Sequence, residues 1–409
     1  MDMVYLDNGA TTQVDKVVLE EMQRIFTTEY GNASSIHHFG NEAREDLEHA
    51  RQVIAKSLKC RNDEIFFTGS GTEANNWVTK GLAFFFKKQN ENNKDSSGNY
   101  KGNYIEKNHI VITKVEHDCL LKSCQWLETQ GIKVTYLDVD EKGFVDQQLL
   151  DRSITENTFL VSIIHGNNEI GTIQDIHHIY DICKKHKVLF HTDACQSYTK
   201  TDITSEDADL ITINAHKIHG PKGVGALYIK KGLKPIPLLH GGGQEKNMRS
   251  GTENIPAIMG FAKAVEVAFD EKKKNIDQMT ELRDYMIEEL KNMKCVILNG
   301  PEGDMRLCNN VNLSFRFIEG ESIVSLLDCE NICVSTGSAC SSNNLEPSHV
   351  MMAIENNPER AHGSVRFTLS KWTTKKEIDY TIKHLKHSVE ELRKISPLCD
   401  DCECKIDKK

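Results

Sequence analysis

The stretch Phe159-Leu160-Val161-Ser162-Ile163-Ile164 is an almost unbroken apolar run. A strand buried on both faces has this texture, and such strands belong to parallel sheets that helices cover. Similar short runs lie on both sides of it, at 64–68, 109–113, 132–137, 188–192, 209–213 and 224–229. Helical patterns alternate with them, at 15–28, 41–58, 72–86, 118–130 and 176–186. This alternation predicts an α/β fold with a mostly parallel seven-stranded sheet.

The character of the sequence changes near residue 256, where one long helical pattern runs to about 290 and mixed short elements follow. We therefore expect a large domain over 15–255 and a smaller α+β domain over 1–14 and 256–409. The polar segment 87–108 interrupts the pattern, and we interpret it as a mobile surface insertion.

Composition excludes several classes of protein. The chain has 409 residues, 39% of them hydrophobic and 27% charged, which is typical of a globular protein. Its formal net charge of −10 argues against general nucleic-acid binding. No apolar run is long enough for a bilayer, and we expect no membrane association. Thirteen cysteines without a secretory signal predict reduced thiols and a cytoplasmic location.

Two residues at consecutive strand ends carry most of the chemical information. Asp193 follows the strand at 188–192, and Lys217 follows the strand at 209–213. Ligands of α/β sheets bind at the carboxyl ends of the strands. A carboxylate that keeps a pyridine nitrogen protonated, with a lysine that forms an imine, is the pair that pyridoxal phosphate (PLP) requires. Taken singly, each is more often a turn cap or a solvated lysine, so the pair carries the prediction.

Other candidate residues lie at turns nearby. Gly71 and Thr72 open a helix after a strand, where backbone N–H groups bind phosphate, although a capped turn explains them equally well. The same turn matches a relaxed dinucleotide motif, but the position where NAD needs an acidic residue at the end of the next strand falls in the Asn-rich polar segment, which argues against NAD. His117 can stack on a cofactor and move protons. Arg366 is a candidate clamp for a substrate carboxylate, with a surface ion pair as the alternative.

A cysteine in a small and polar stretch is the candidate nucleophile. Cys340 lies within 335–344, which predicts an exposed flexible loop and an accessible thiol. An idle surface thiol ranks second. We predict no metal site: the paired histidines lack partners at ligand spacing, and the Cys399, Cys402 and Cys404 tail is more simply a charged tail.

The chain resembles the NifS/IscS-type cysteine desulfurases, which are PLP enzymes of aminotransferase class V with fold type I. The resemblance covers nearly the whole chain. The motifs that carry it are 5–12 (YLDNGATT), 30–35 (YGNASS), 167–171 (NNEIG), 216–217 (HK), 240–245 (HGGGQE), 248–253 (MRSGTE), 337–340 (GSAC) and 345–349 (LEPSH).

The resemblance implies a role for each matching position. Lys217 would hold PLP, Asp193 would pair with the pyridine nitrogen, and His117 would stack on the ring. Gln196 and Asn168 would also contact the cofactor. The phosphate would be bound by Gly71, Thr72 and His216, with Thr252 reaching in from the partner subunit of a homodimer. Asn168 and Arg366 would hold the carboxylate of L-cysteine.

In this reading Cys340 takes the sulfur of L-cysteine as a persulfide, and L-alanine is released. An iron–sulfur scaffold protein or another acceptor would then receive the sulfur. Asn214 stands where the family usually has a phosphate-binding serine, and we still expect PLP to bind because an amide can donate. The alternatives are a selenocysteine lyase, an ordinary class-V aminotransferase, and a catalytically idle sulfur-binding component, against which the set of Lys217, Asp193, His117 and Cys340 argues.

Overall fold

The computed structural model of the chain describes residues 3–337 and 346–397. The strands within these ranges are β1 (Val4–Tyr5), β2 (Ile65–Thr68), β3 (His109–Thr113), β4 (Lys133–Leu137), β5 (Thr158–Ser162), β6 (Leu189–Asp193), β7 (Leu210–Asn214), β8 (Gly225–Ile229), β9 (Val296–Leu298), β10 (Asn310–Phe315), β11 (Ile332–Cys333) and β12 (Ser364–Thr368).

The α-helices within the same ranges are α1 (Lys16–Thr27), α2 (His38–Ser57), α3 (Gly71–Asn92), α4 (Asp118–Glu128), α5 (Gln147–Ser153), α6 (Ile176–His186), α7 (Ile255–Asp270), α8 (Lys272–Lys291), α9 (Gly320–Cys329), α10 (His349–Ile354), α11 (Pro358–His362) and α12 (Lys375–Ile395).

A seven-stranded sheet forms the centre of the larger part, in the order β2-β8-β7-β6-β5-β3-β4. In this sheet β8 runs opposite to the other six strands, which are all parallel to one another. All seven strands expected from the sequence occur, and their ends lie within two residues of the expected ones. The prediction of a mostly parallel sheet in an α/β fold is confirmed.

Helices cover both faces of this sheet, which explains the continuous apolar runs. On β5, Val161 packs in the apolar cluster under α1, α2 and α7, whereas Leu160 packs in the cluster under α3 and α4. Ile211 and Leu210 on β7 divide in the same way. Successive side chains of a strand point to opposite faces, so a strand covered on both faces needs apolar residues at every position.

A second apolar core surrounds the three-stranded sheet β12-β10-β9. The N-terminal strand β1 pairs with β11, and both Val4 and Leu6 are buried in this core. The chain then passes from this core to the edge of the large sheet at Gly9. The domain bounds 15–255, with 1–14 and 256–409, stay a prediction.

Two local expectations are wrong. The helical stretch from 256 to 290 is two helices, because Glu271 leaves helical geometry between α7 and α8. The expected insertion at 87–108 begins too early, because residues 87–92 are the last part of helix α3, which ends at Asn92. Asn90 explains the order there: its buried side chain accepts from the Tyr104 hydroxyl and the Lys107 N–H and donates to the Lys107 carbonyl. These hydrogen bonds satisfy the buried polar groups of a segment whose polar composition alone predicted disorder.

Candidate active site

The candidate residues converge at one edge of the large sheet. His117 follows β3, Asn168 follows β5, Asp193 ends β6, and Lys217 comes three residues after the end of β7. Parallel strands present their carboxyl ends at the same edge, so residues far apart in sequence meet there. The topology therefore brings together the side chains that the spacing of strands and motifs singled out.

Asp193 is buried and held by two donors. The Asn75 side-chain amide donates to Oδ2 at 2.6 Å, and the Cys195 N–H donates to Oδ1 at 2.9 Å. Two bonds to separate oxygens determine the orientation of the carboxylate. Asn75 was not singled out from the sequence. It lies four residues after Gly71, so the 3.6-residue period places it on the same face of α3, and that spacing was the available signal.

Lys217 reaches across to the N-terminal segment. Its ammonium group donates to the carbonyl oxygens of Gly9 and Ala10, the latter at 2.7 Å. The Gln196 amide donates to the same Gly9 carbonyl at 2.9 Å. Lys217 and Gln196 thus lie in one cluster with the segment that leaves the second core.

His117 is the N-cap of α4 and is positioned by the helix start. Its Nδ1 accepts the Cys119 N–H at 3.2 Å and lies 3.0 Å from the Cys119 thiol. Burial lowers the pKa of His117, with the Asp193 charge opposing that shift. The ring is therefore neutral near pH 7, and because Nδ1 accepts, the ring proton is on Nε2. Burial also raises the pKa of the Cys119 thiol to about 12, so this thiol stays protonated.

The start of α3 forms the proposed phosphate end of the site. Ser70 caps the helix by accepting the Glu73 N–H, which leaves the earlier N–H groups for a ligand. A Cβ on Gly71 would lie only 2.6 Å from the Cys195 sulfur, so this position requires glycine. Thr72 is exposed beside it.

His216 and Asn214 follow on β7 and the turn after it. Burial lowers the pKa of His216 to about 4, so the ring is neutral, and its Nδ1 lies 3.3 Å from the Thr11 hydroxyl. Asn214 is buried, and its amide nitrogen is 3.6 Å from the position of a Cβ on Gly71. The amide therefore lies beside the start of α3, which agrees with the phosphate-binding role that the family resemblance implies for position 214.

Arg366 and Asn168 form the proposed carboxylate site. The Arg366 guanidinium donates to the Asn168 carbonyl at 3.0 Å and to Asp7 at 3.1 Å. Its Nε and the Asn168 Oδ1 are buried and have no partner in the described residues. Buried polar atoms need a partner, and a polar ligand supplies one. Arg366 does form an ion pair, with Asp7, but its side chain is only 4% exposed, so the pair is not on the open surface as the alternative from the sequence supposed.

The residues present fit PLP. An oriented carboxylate, a lysine near it, a neutral histidine and a free helix start are each of the type that binds one part of this cofactor. The buried Oδ1 atoms of Asn168 and Asn214, which lack partners in the described ranges, add polar groups that a ligand can satisfy.

Two further candidates are not among the side chains of this cluster described above. Thr252 is exposed in the segment before α7. Cys340 lies outside the described residues, as do Cys399, Cys402 and Cys404. Within 3–337 and 346–397, no group of three or more His, Cys, Asp or Glu side chains is placed to hold a metal ion. No helix in those ranges is both long and apolar enough to cross a membrane.

Comparison with known families and proteins gives a consistent result. The family "Aminotransferase class-V" matches residues 4–92 and 97–381. The cysteine desulfurase IscS of Dictyoglomus turgidum is 48% identical over 409 residues, with 99% of each chain covered. The cysteine desulfurase IscS of Clostridium botulinum is 44% identical, with 97% of each covered.

Solved structures agree with these relatives. A NifS-like protein superposes with a TM-score of 0.86 at 38% identity, over 95% of this chain and 100% of that one. SspA in complex with cysteine superposes with a TM-score of 0.76 at 34% identity, over 91% and 100%.

Proposed function

The chain belongs to the aminotransferase class-V family, and from this premise we infer that it is a PLP-dependent cysteine desulfurase that supplies sulfur for iron–sulfur cluster assembly. The observation that carries this inference is the near full-length match to relatives with that activity. The reaction converts L-cysteine to L-alanine and leaves the sulfur on the protein as a persulfide.

We propose that Lys217, Asp193, Gln196 and His117 hold the ring of PLP, with Gly71, Thr72, His216 and Asn168 completing the site. PLP, when bound, supplies an electron sink for the bonds of the amino acid. The hydrogen bonds from Asn75 and Cys195 support the role of Asp193, since they keep its carboxylate in one orientation. The helix start at Gly71 supports phosphate binding there.

The side chains around the substrate have separate tasks in this proposal. Arg366, with Asn168, binds the substrate carboxylate and so determines which way the thiol of L-cysteine points. His117, neutral with its proton on Nε2, can donate that proton and take one back. The Cys340 thiolate attacks the substrate sulfur, the carbon–sulfur bond breaks, and a new sulfur–sulfur bond forms. The carbon that loses sulfur gains a proton, which gives L-alanine.

Alanine release from L-cysteine tests this function. We expect purified holoprotein with a dithiol reductant to produce alanine and sulfide in equal amounts. Cys340→Ala should keep the colour of bound PLP and lose persulfide, and Lys217→Ala should lose catalysis. Persulfide turnover by Cys340→Ala would refute the assignment of the nucleophile. Alanine from L-selenocysteine but not from L-cysteine would favour a selenocysteine lyase.

We further propose a homodimer, cytoplasmic, that passes sulfur to an iron–sulfur scaffold protein or another acceptor. Exposed apolar side chains support the dimer: Phe26, Tyr30 and Ile36 are 60%, 70% and 94% exposed. Large apolar side chains that stay exposed close together in sequence are candidates for an interaction surface. Light scattering should give about twice the chain mass of 46.3 kDa. If the protein dimerises, Thr252→Val should weaken PLP binding, because this residue would serve the site of the partner subunit.

A further inference from the structure

Glu169 touches both ends of the span that carries Cys340. Its carboxylate accepts the Ser348 hydroxyl at 2.5 Å, and both residues are only 4% exposed. On the other side, a Cβ on Gly337 would lie 2.5 Å from the same carboxylate oxygen, so the Gly337 backbone lies directly against it. Gly337 and Ser348 are eleven residues apart in sequence and enclose Cys340. One buried carboxylate therefore contacts the chain before and after the proposed nucleophile.

Glu169 is itself held rigidly. Its carbonyl accepts from the side-chain amides of Asn310 and Asn312, each at 3.0 Å. Its N–H donates to the side chain of Asn167 at 2.9 Å. Asn310 and Asn312 lie on β10, the central strand of the three-stranded sheet. These bonds leave the Glu169 backbone little freedom, so its side chain extends from a fixed point, and the Ser348 hydroxyl binds the carboxylate at its far end.

The neighbouring contacts link this point to the substrate site. Asn168, directly before Glu169, has its carbonyl bound by Arg366. His349, directly after Ser348, donates from Nε2 to the Glu116 carbonyl at 2.9 Å, and Glu116 precedes His117. The second end of the Cys340 span is thus attached on both sides to residues adjacent in sequence to the proposed substrate and cofactor groups.

We propose that Glu169 is a positioning residue for sulfur transfer, which places the two ends of the Cys340 span relative to the bound substrate through Ser348 and Gly337. This inference rests on the proposed desulfurase function. It predicts that Glu169 affects the step in which Cys340 takes the sulfur, and leaves the binding of cofactor and substrate unchanged. A displacement of about 1 Å between reacting groups lowers a rate by roughly 100-fold.

The test compares Glu169→Ala, Glu169→Gln and Ser348→Ala as PLP-loaded full-length proteins. We expect persulfide formation in a single turnover to fall about 10- to 100-fold in Glu169→Ala and Ser348→Ala. Glu169→Gln, which still accepts a hydrogen bond, should recover part of the rate. The absorbance of bound PLP and the concentration of L-cysteine that half-saturates its spectral change should stay within about twofold. The double variant Glu169→Ala/Ser348→Ala should be no slower than either single one, because the two act as a unit.

Glu64→Gln is the matched control. Glu64 is also a buried carboxylate that accepts backbone N–H groups, from Arg61 and Lys231, and it lies before β2. It should leave persulfide formation unchanged. Wild-type persulfide formation in Glu169→Ala and Ser348→Ala would overturn this inference alone. So would a parallel loss of PLP absorbance, of the L-cysteine response and of thermal stability, because that pattern shows a structural role. If the unsubstituted protein makes no alanine from L-cysteine, the proposed function itself fails.

Discussion

Asn75→Ala tests how the orientation of Asp193 contributes to PLP binding. Asn75 is fully buried, and its amide donates to Asp193 at 2.6 Å. The substitution removes this donor and leaves the Cys195 N–H as the other bond to the carboxylate. The carboxylate then has more than one orientation, and in the proposed site only one of them would bind the ring nitrogen of PLP.

The size of the effect follows from the type of bond. A hydrogen bond to a charged group contributes about 1.5–3 kcal/mol. If all of it acts in the PLP complex, the Kd for PLP rises by roughly 10- to 150-fold. That is the upper limit, because in the apoprotein water can also reorient Asp193. We therefore expect about a tenfold increase in Kd.

The assay is titration of apoprotein with PLP, followed by absorbance, beside thermal unfolding of the apoprotein. Thr79→Val is the matched control, since Thr79 lies one turn further along α3, is equally buried, and bonds to Ser123 at 2.6 Å. It should lower stability and keep the Kd. A Kd for Asn75→Ala within twofold of that of Thr79→Val would refute the reasoning.

Three further predictions concern other parts of the site and core. Arg366→Lys keeps the charge but loses the planar pair of donors, so KM for L-cysteine should rise by about tenfold in steady-state assays, and an unchanged KM would remove Arg366 from substrate binding. Gly71→Ala should weaken PLP binding because its Cβ would meet the Cys195 sulfur at 2.6 Å, and Gly71→Ala/Cys195→Ala should recover it; failure of this rescue in the same titration would contradict the steric explanation. Burial lowers the pKa of His191 to about 4, from about 6.5 when unfolded, so its contribution to stability is present above pH 6.5 and is lost as the pH falls toward 4. Between pH 7 and pH 5 the free energy of unfolding, measured with denaturant, should fall by about 2 kcal/mol less in His191→Gln than in the unsubstituted protein. The same pH dependence in both proteins would show that His191 is not the source of the loss.

The local sequence pattern was sufficient to predict those features that depend on a single strand or helix. Strands such as β5 and β7 are covered on both faces, and an unbroken apolar run of their length is too short for a buried helix. Asp193 and Lys217 could be predicted from the sequence for the same reason. A polar residue at or just after the end of a buried strand lies at the edge of the sheet where ligands bind. The end of α3 could not be predicted in this way, because polar residues continue the helix there and Asn90 binds Tyr104 and Lys107, which lie 14 and 17 residues further on.

The sequence by itself determined the order of strands and helices, the family and the candidate reactive groups, because these depend on residue type and spacing along the chain. Only the tertiary structure decided that Asn75 holds Asp193, that Lys217 contacts the N-terminal segment, and that Glu169 touches both Gly337 and Ser348. Each of these contacts joins residues that are far apart in sequence. A hydrogen bond depends on distances of about 3 Å and on direction, and neither is determined until the strands and helices have packed together.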